Sequence, residues 1–157
     1  MSARTRVCVI AVLVASAVAG CIAERLEPDV GPLRTGLCKP EDSDPDHDVS
    51  FRKQVLPIFK RPAMMAGCSC HLPTSARTPG LQLTGLDLSS YKSLRRGGNQ
   101  SGANVVIAHD PCNSLLVQKI SSAPPFGGRM PSDGPPYLTP PEQTLISDWI
   151  AEGAVDN

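Results

Sequence analysis

Apolar positions recur at three- and four-residue intervals in two places near the ends of the chain, and they predict two helices. In SFRKQVLPIFKR, residues 50–61, Phe51, Val55, Ile58 and Phe59 share a helical face. Ser50 is placed to cap the start, and Pro57 removes a backbone donor inside the pattern, which predicts a kink or an early end. LTPPEQTLISDWIAEG, residues 138–153, is the clearest element: Thr139 as N-cap, Pro140 in the first turn, Glu142 completing a capping box, and a stripe of Leu145, Ile146, Trp149 and Ile150 before Gly153. Shorter helical patterns occupy 89–98 and 114–120. No alternating run is long enough to build a sheet, so the reading is a small, loop-rich, mostly α domain whose terminal helices pack together.

The first twenty residues follow a different pattern. Arg4 and Arg6 precede an apolar run from Val7 to Val14 and then small residues up to Gly20, the layout of an export signal and too short for a spanning helix. Val18-Ala19-Gly20-Cys21 resembles the lipobox of bacterial lipoproteins, which implies a lipidated Cys21 as the first mature residue. Ile22 in place of Asp then implies the outer membrane of the cell envelope, facing the periplasm. Residues 21–48 are rich in Pro, Gly and acidic side chains without periodicity and read as a flexible tether, with His47 solvated inside it. The domain then spans 49–157.

Without residues 1–20 the chain keeps 137 residues with 13 basic and 15 acidic side chains, a net charge of −2, which argues against a nucleic-acid partner. Aromatic residues make up only 4% of the chain, against 16 prolines and 13 glycines. A domain so poor in large side chains calls for a further source of cohesion, a buried cofactor or a disulfide.

Four cysteines remain after Cys8 and Cys21: Cys38, Cys68, Cys70 and Cys112. An oxidising compartment favours commitment of all four. GCSCH, residues 67–71, has the composition of a c-type haem attachment site, with Cys68 and Cys70 as thioethers and His71 as proximal iron ligand. The usual first cysteine position is Gly67, so the spacing is one residue short. In that case Cys38 and Cys112 are left to pair, whereas a Cys68–Cys112 bond strands Cys38. A zinc or copper site from Cys68, Cys70 and His71 with Cys112 or His109 is a third reading, and disulfides alone a fourth. For a sixth iron ligand, Met130 in GGRMPSDG is an isolated methionine in a polar loop; His109 and the Met64–Met65 pair are the alternatives.

The order of these pieces resembles the small cytochrome c-like domains of planctomycete and myxobacterial exported proteins. It runs through Pro57-Ile58-Phe59, Cys68/Cys70/His71, Gly85-Leu86-Asp87-Leu88, Asp110-Pro111 to Lys119-Ile120, Arg129-Met130-Pro131, and Trp149-Ile150 with Gly153-Ala154. The resemblance implies terminal helices packed around one haem c, His71 proximal, Met130 distal, Cys70 the surer thioether and Cys68 the less certain one. It implies a lipid-anchored one-electron carrier rather than an enzyme, meeting a transient redox protein partner, with Lys92, Arg95 and Arg96 either steering that partner or forming an ordinary solvated face. The competing expectation is a haem-free, disulfide-stabilised or zinc-binding lipoprotein module for binding or scaffolding.

Overall fold

The computed structural model describes residues 38–157, so the signal, Cys21 and the tether up to residue 37 lie outside the described residues. All regular structure there is helical: α1 (Leu56–Lys60), α2 (Pro79–Thr84), α3 (Tyr91–Arg96), α4 (Leu115–Ile120) and α5 (Pro140–Ala151), joined by 3-10 turns and loops with no strand among the described residues. The all-α, loop-rich architecture matches the hydrophobic pattern.

The first helical segment begins one turn earlier than α1, as a π-type turn over Phe51–Val55. Ser50 caps it through Lys53 N–H, and the Leu56 N–H reaches Phe51 O, five residues back. Pro57 explains the change of winding, because it has no N–H to offer Lys53 O and the preceding turn has to close without that bond. The kink read from the sequence thus takes the form of a widened turn. The orphan donors at its start are met from the other end of the chain: Phe51 N–H donates to Asn157 Oδ1 (2.7 Å) and Arg52 N–H to Asn157 O (3.0 Å).

α5 is capped as its sequence predicts, with Thr139 donating from both N and Oγ1 to Glu142 Oε2 (2.8 and 2.9 Å). The Phe51–Val55 turn packs on α5, and Trp149, Phe51, Phe59, Ile146 and Ile150 are fully buried. Phe51 lies 5.0 Å from Trp149 and 5.5 Å, edge-on, from Tyr91, so three of the few aromatic rings are spent on one cluster. The indole N–H of Trp149 donates to Val155 O (2.9 Å), leaving no unpaired polar atom there.

Residues 38–48, which composition alone assigns to the tether, lie against this helical pair. Cys38 is bonded to Cys112, the pairing that cysteine parity favours. Asp148, 1% exposed in the middle of α5, accepts Asp44 N–H (2.7 Å) and His47 Nδ1 (2.7 Å). His47 is therefore not simply solvated: a buried carboxylate needs donors, and this segment supplies two of them.

Candidate functional site

The site begins where the chain leaves α1. Cys68 N–H donates to Phe59 O (3.1 Å), which fixes the turn against the helix end, and His71 N–H returns to Cys68 O (2.9 Å) to close a 3-10 turn over Ser69–His71. A 3-10 turn has about three residues per revolution, so side chains three apart stack on one side. Cys68 and His71 accordingly line the same cavity, of about 170 Å³, together with Met130. The rest of its wall is largely apolar, including Leu86, Leu88, Leu116, Ile120 and Phe126.

Three tethers hold His71. Its Nδ1 donates to Leu86 O (3.1 Å), its carbonyl accepts Leu88 N–H (3.2 Å), and Gly80 lies over the ring. A Cβ on Gly80 would come within 2.6 Å of Nε2 and 2.8 Å of both Cδ2 and Cε1. Such nearly equal distances place it above the ring face, not in front of Nε2. The ring is thereby oriented with Nδ1 committed and Nε2 without a hydrogen-bond partner among the described residues. Burial lowers its pKa, opposed in part by the Leu86 carbonyl, so the neutral, ligating form is favoured.

Met130 is brought to the cavity by the loop after α4. Its N–H donates to Lys119 O (2.8 Å), and Lys119 Nζ donates to Phe126 O and Gly128 O (both 2.7 Å), which ties the loop back onto the helix that precedes it. Arg129 adds a bond from Nε to Ile120 O (3.0 Å) and stacks on Tyr137 at 4.3 Å. Sequence reading places Met130 in a loop, as observed, but gives no loop-holding role to Lys119, whose signal is a basic side chain in the last turn of a short helix.

The cysteines of GCSCH are not equivalent. Cys68 is buried, and its thiol is pushed up to about 12 by burial, then by Cys70, with Arg61 opposing. Cys70 is half-buried, absent from the cavity wall, and raised by burial and then by Asp133, against the backbone N–H groups of Cys70 and Gly80. Both are free thiols.

The remaining candidates lie elsewhere. His109 is exposed and its Nδ1 donates to Ala151 O (3.0 Å) at the end of α5. Met64 and Met65 are exposed at 80% and 58%. Arg95 is turned inward to Val106 O (2.9 Å), while Lys92 and Arg96 are exposed. Among the described residues no three His, Cys, Asp or Glu side chains converge on a point, and Cys112 is consumed in the disulfide, so the four-ligand zinc arrangement through Cys112 or His109 does not form. A larger cavity of about 290 Å³ between residues 38–43 and α4–α5 contains neither histidine nor methionine.

Comparison with family models, with curated proteins and with solved structures finds no match.

Proposed function

We propose that the domain is a one-electron carrier holding a single haem c, lipid-anchored through Cys21 in the cell envelope. One observation carries the reading: Cys68, His71 and Met130, which are distant in sequence or differ in chemistry, line one mainly apolar cavity. The donor types suit an iron porphyrin, although the cavity of about 170 Å³ is too small for one as it stands. The porphyrin supplies four of the iron's donors, so one imidazole and one thioether complete the set, and the absence of a three-ligand protein cluster does not count against it.

Bound there, the group supplies reversible one-electron chemistry. The chain's own part is positional. Leu86 O and Gly80 set the plane of His71, while Lys119 sets the loop that presents Met130. Were His71 and Met130 both to hold the metal, no position would be left for a substrate, which would favour electron transfer over catalysis. The apolar lining raises the cost of an extra positive charge, and thioether ligation acts in the same direction, towards a higher potential than two imidazoles would give. Lys92 and Arg96 offer exposed positive charge to a partner.

A second reading, the haem-free disulfide-stabilised module, is favoured by size. A cavity of about 170 Å³ is close to the roughly 150 Å³ of an engineered site that holds benzene, well below a macrocycle, so loading requires the 121–130 loop to lie further out. The aromatic cluster and the Cys38–Cys112 bond also give the domain cohesion of its own.

The deciding experiment is periplasmic expression with the haem c maturation machinery, followed by denaturation, a reduced pyridine–haem spectrum and intact mass. Haem that survives denaturation, with a visible spectrum altered by Met130→Ala, supports the carrier. A colourless chain without added haem mass overturns it in favour of the module.

A further inference from the structure

We infer that the cavity beside His71 binds a small neutral aromatic alcohol, one ring with one hydroxyl group, whose O–H donates to His71 Nε2. The inference rests on the haem-free reading of the domain, because a porphyrin and a one-ring ligand cannot share this space.

Size comes first. The cavity of about 170 Å³ is little larger than the roughly 150 Å³ of an engineered apolar site that holds benzene. A single ring with one further heavy atom matches it.

The wall then selects the chemistry of that ring. Leu86, Leu116 and Ile120 are apolar, while Cys68 and Met130 contribute polarizable sulfur, which makes favourable contacts with aromatic rings. Phe126 adds a ring of its own and is 47% exposed, so the cavity borders solvent there. The wall holds no carboxylate, and its one ammonium, Lys119 Nζ, is bonded to Phe126 O and Gly128 O (both 2.7 Å). A neutral ligand therefore suits it better than an ionic one.

One atom sets the position of the hydroxyl. Thr84 Oγ1 on the wall donates to Gly80 O (2.6 Å), Ser101 Oγ accepts Gly98 N–H (2.9 Å), and Gln100 is exposed. His71 differs from all of them. It is only 7% exposed, its Nδ1 donates to Leu86 O (3.1 Å), and Nε2 has no partner among the described residues. A carbonyl oxygen only accepts, so Nδ1 carries the proton and Nε2 of the neutral ring presents a bare lone pair. A buried acceptor without a donor is costly, and a ligand hydroxyl removes that cost. Toluene has nearly the shape of phenol but no donor, so the pair separates the hydrogen bond from the fit.

The test uses the full chain expressed with the haem c maturation machinery. Covalent haem is assayed first by the pyridine–haem spectrum after denaturation. The chain is then titrated with phenol and with toluene at about pH 8, above the usual histidine range, and followed by calorimetry and by the nitrogen resonances of the His71 ring. A colourless chain is expected to bind phenol one-to-one, with a shift of the Nε2 resonance at saturation and little movement of Nδ1. His71→Leu keeps an apolar wall without the acceptor and is expected to lower the ratio of phenol to toluene affinity by about tenfold. The wild-type resonances need no substitution, so misfolding of His71→Leu does not mask the answer. Toluene binding with phenol excluded, or phenol binding that leaves Nε2 unmoved, overturns the hydroxyl assignment. A colourless chain that binds neither overturns the cavity as a ligand site while leaving the haem-free reading intact. Covalent haem on the chain overturns the haem-free reading and the inference with it.

Discussion

The half of the domain built from the Phe51–Lys60 helix and α5 differs from the half between Pro62 and Pro131 in what its polar groups face. In the first, most buried donors and acceptors find each other: Asp148 takes two donors, Trp149 gives its N–H to Val155, and Asn157 caps the opposite helix, while Ser43 Oγ and Arg61 Nε and Nη2 stay without partners among the described residues. In the second, a tightly held His71 keeps one nitrogen without a partner among the described residues, and Cys68 and Met130 share a cavity with it. Both halves are ordered by hydrogen bonds, but the second uses them to hold a histidine on the wall of an apolar cavity. That division puts the packed aromatic core on the helical pair and the proposed ligand side chains on the loops.

The comparison breaks most directly at Trp149. Trp149→Ala removes the largest fully buried side chain and its ring contact with Phe51, and about 3–5 kcal/mol of stability is expected to go with it. Phe126→Ala, at a half-exposed ring on the cavity wall, should cost about 0.5 kcal/mol or less. Urea unfolding of the two variants measures both. Comparable losses would mean that the cavity half carries as much of the fold as the helical pair.

Next in size is the staple between the two halves. The Cys38–Cys112 bond, 74 residues apart in sequence, ties the segment ahead of the first helix to the loop that leads into α4. A Cys38→Ser/Cys112→Ser variant is expected to lose about 2–4 kcal/mol, mainly by releasing the unfolded chain from a closed loop. Equal urea midpoints for the variant and the oxidised protein would show that noncovalent docking of residues 38–48 does the work alone.

The helical half was the more legible in the sequence, and the reason is physical. Helix periodicity, the Thr139–Glu142 box and the Trp149 stripe are local patterns, and local patterns survive in the order of residues. Met130 and His71 stood out in the sequence because an isolated methionine and a histidine beside cysteines have few bland uses, and the structure places both on one cavity wall. Their supports did not: Leu86 acts through its carbonyl, which every residue possesses, and Gly80 through a missing Cβ. Asp148 was hidden for a related reason, since a carboxylate inside an apolar stripe is uninformative until its distant partners, Asp44 and His47, are placed. The C-x-C-H stretch forms a 3-10 turn that no sequence pattern announces.

Gly80→Ala sharpens the comparison from the cavity side. A methyl group 2.6 Å from the His71 ring has to push the ring or the backbone of α2 aside, at about 1–3 kcal/mol. The histidine's Nδ1 bond to Leu86 should weaken with it, so the ring resonances in an NMR spectrum are expected to shift strongly. An unchanged His71 environment would show that α2 yields more easily than the ring and does not orient it.

The smallest effect distinguishes the two halves by pH. His47 is raised above its usual value by its bond to Asp148, against some desolvation, with Asp148, Asp44 and Glu152 adding charge attraction. A histidine raised in the folded state stabilises it fully below the unfolded value of about 6.5, and that contribution disappears as the pH climbs through the higher folded value. The thermal midpoint of the wild type should therefore carry a component that falls between pH 6.5 and the alkaline side of that folded value, and His47→Ala should remove it. The amplitude stays small because the His47 side chain is 49% exposed and water screens the pair. His47→Gln retains a donor for Asp148 but cannot titrate, so it should recover part of the midpoint lost by His47→Ala while leaving the profile flat over that window. An undiminished slope in both variants would locate the pH response outside the helical half and remove the docked segment's histidine from the account of its stability.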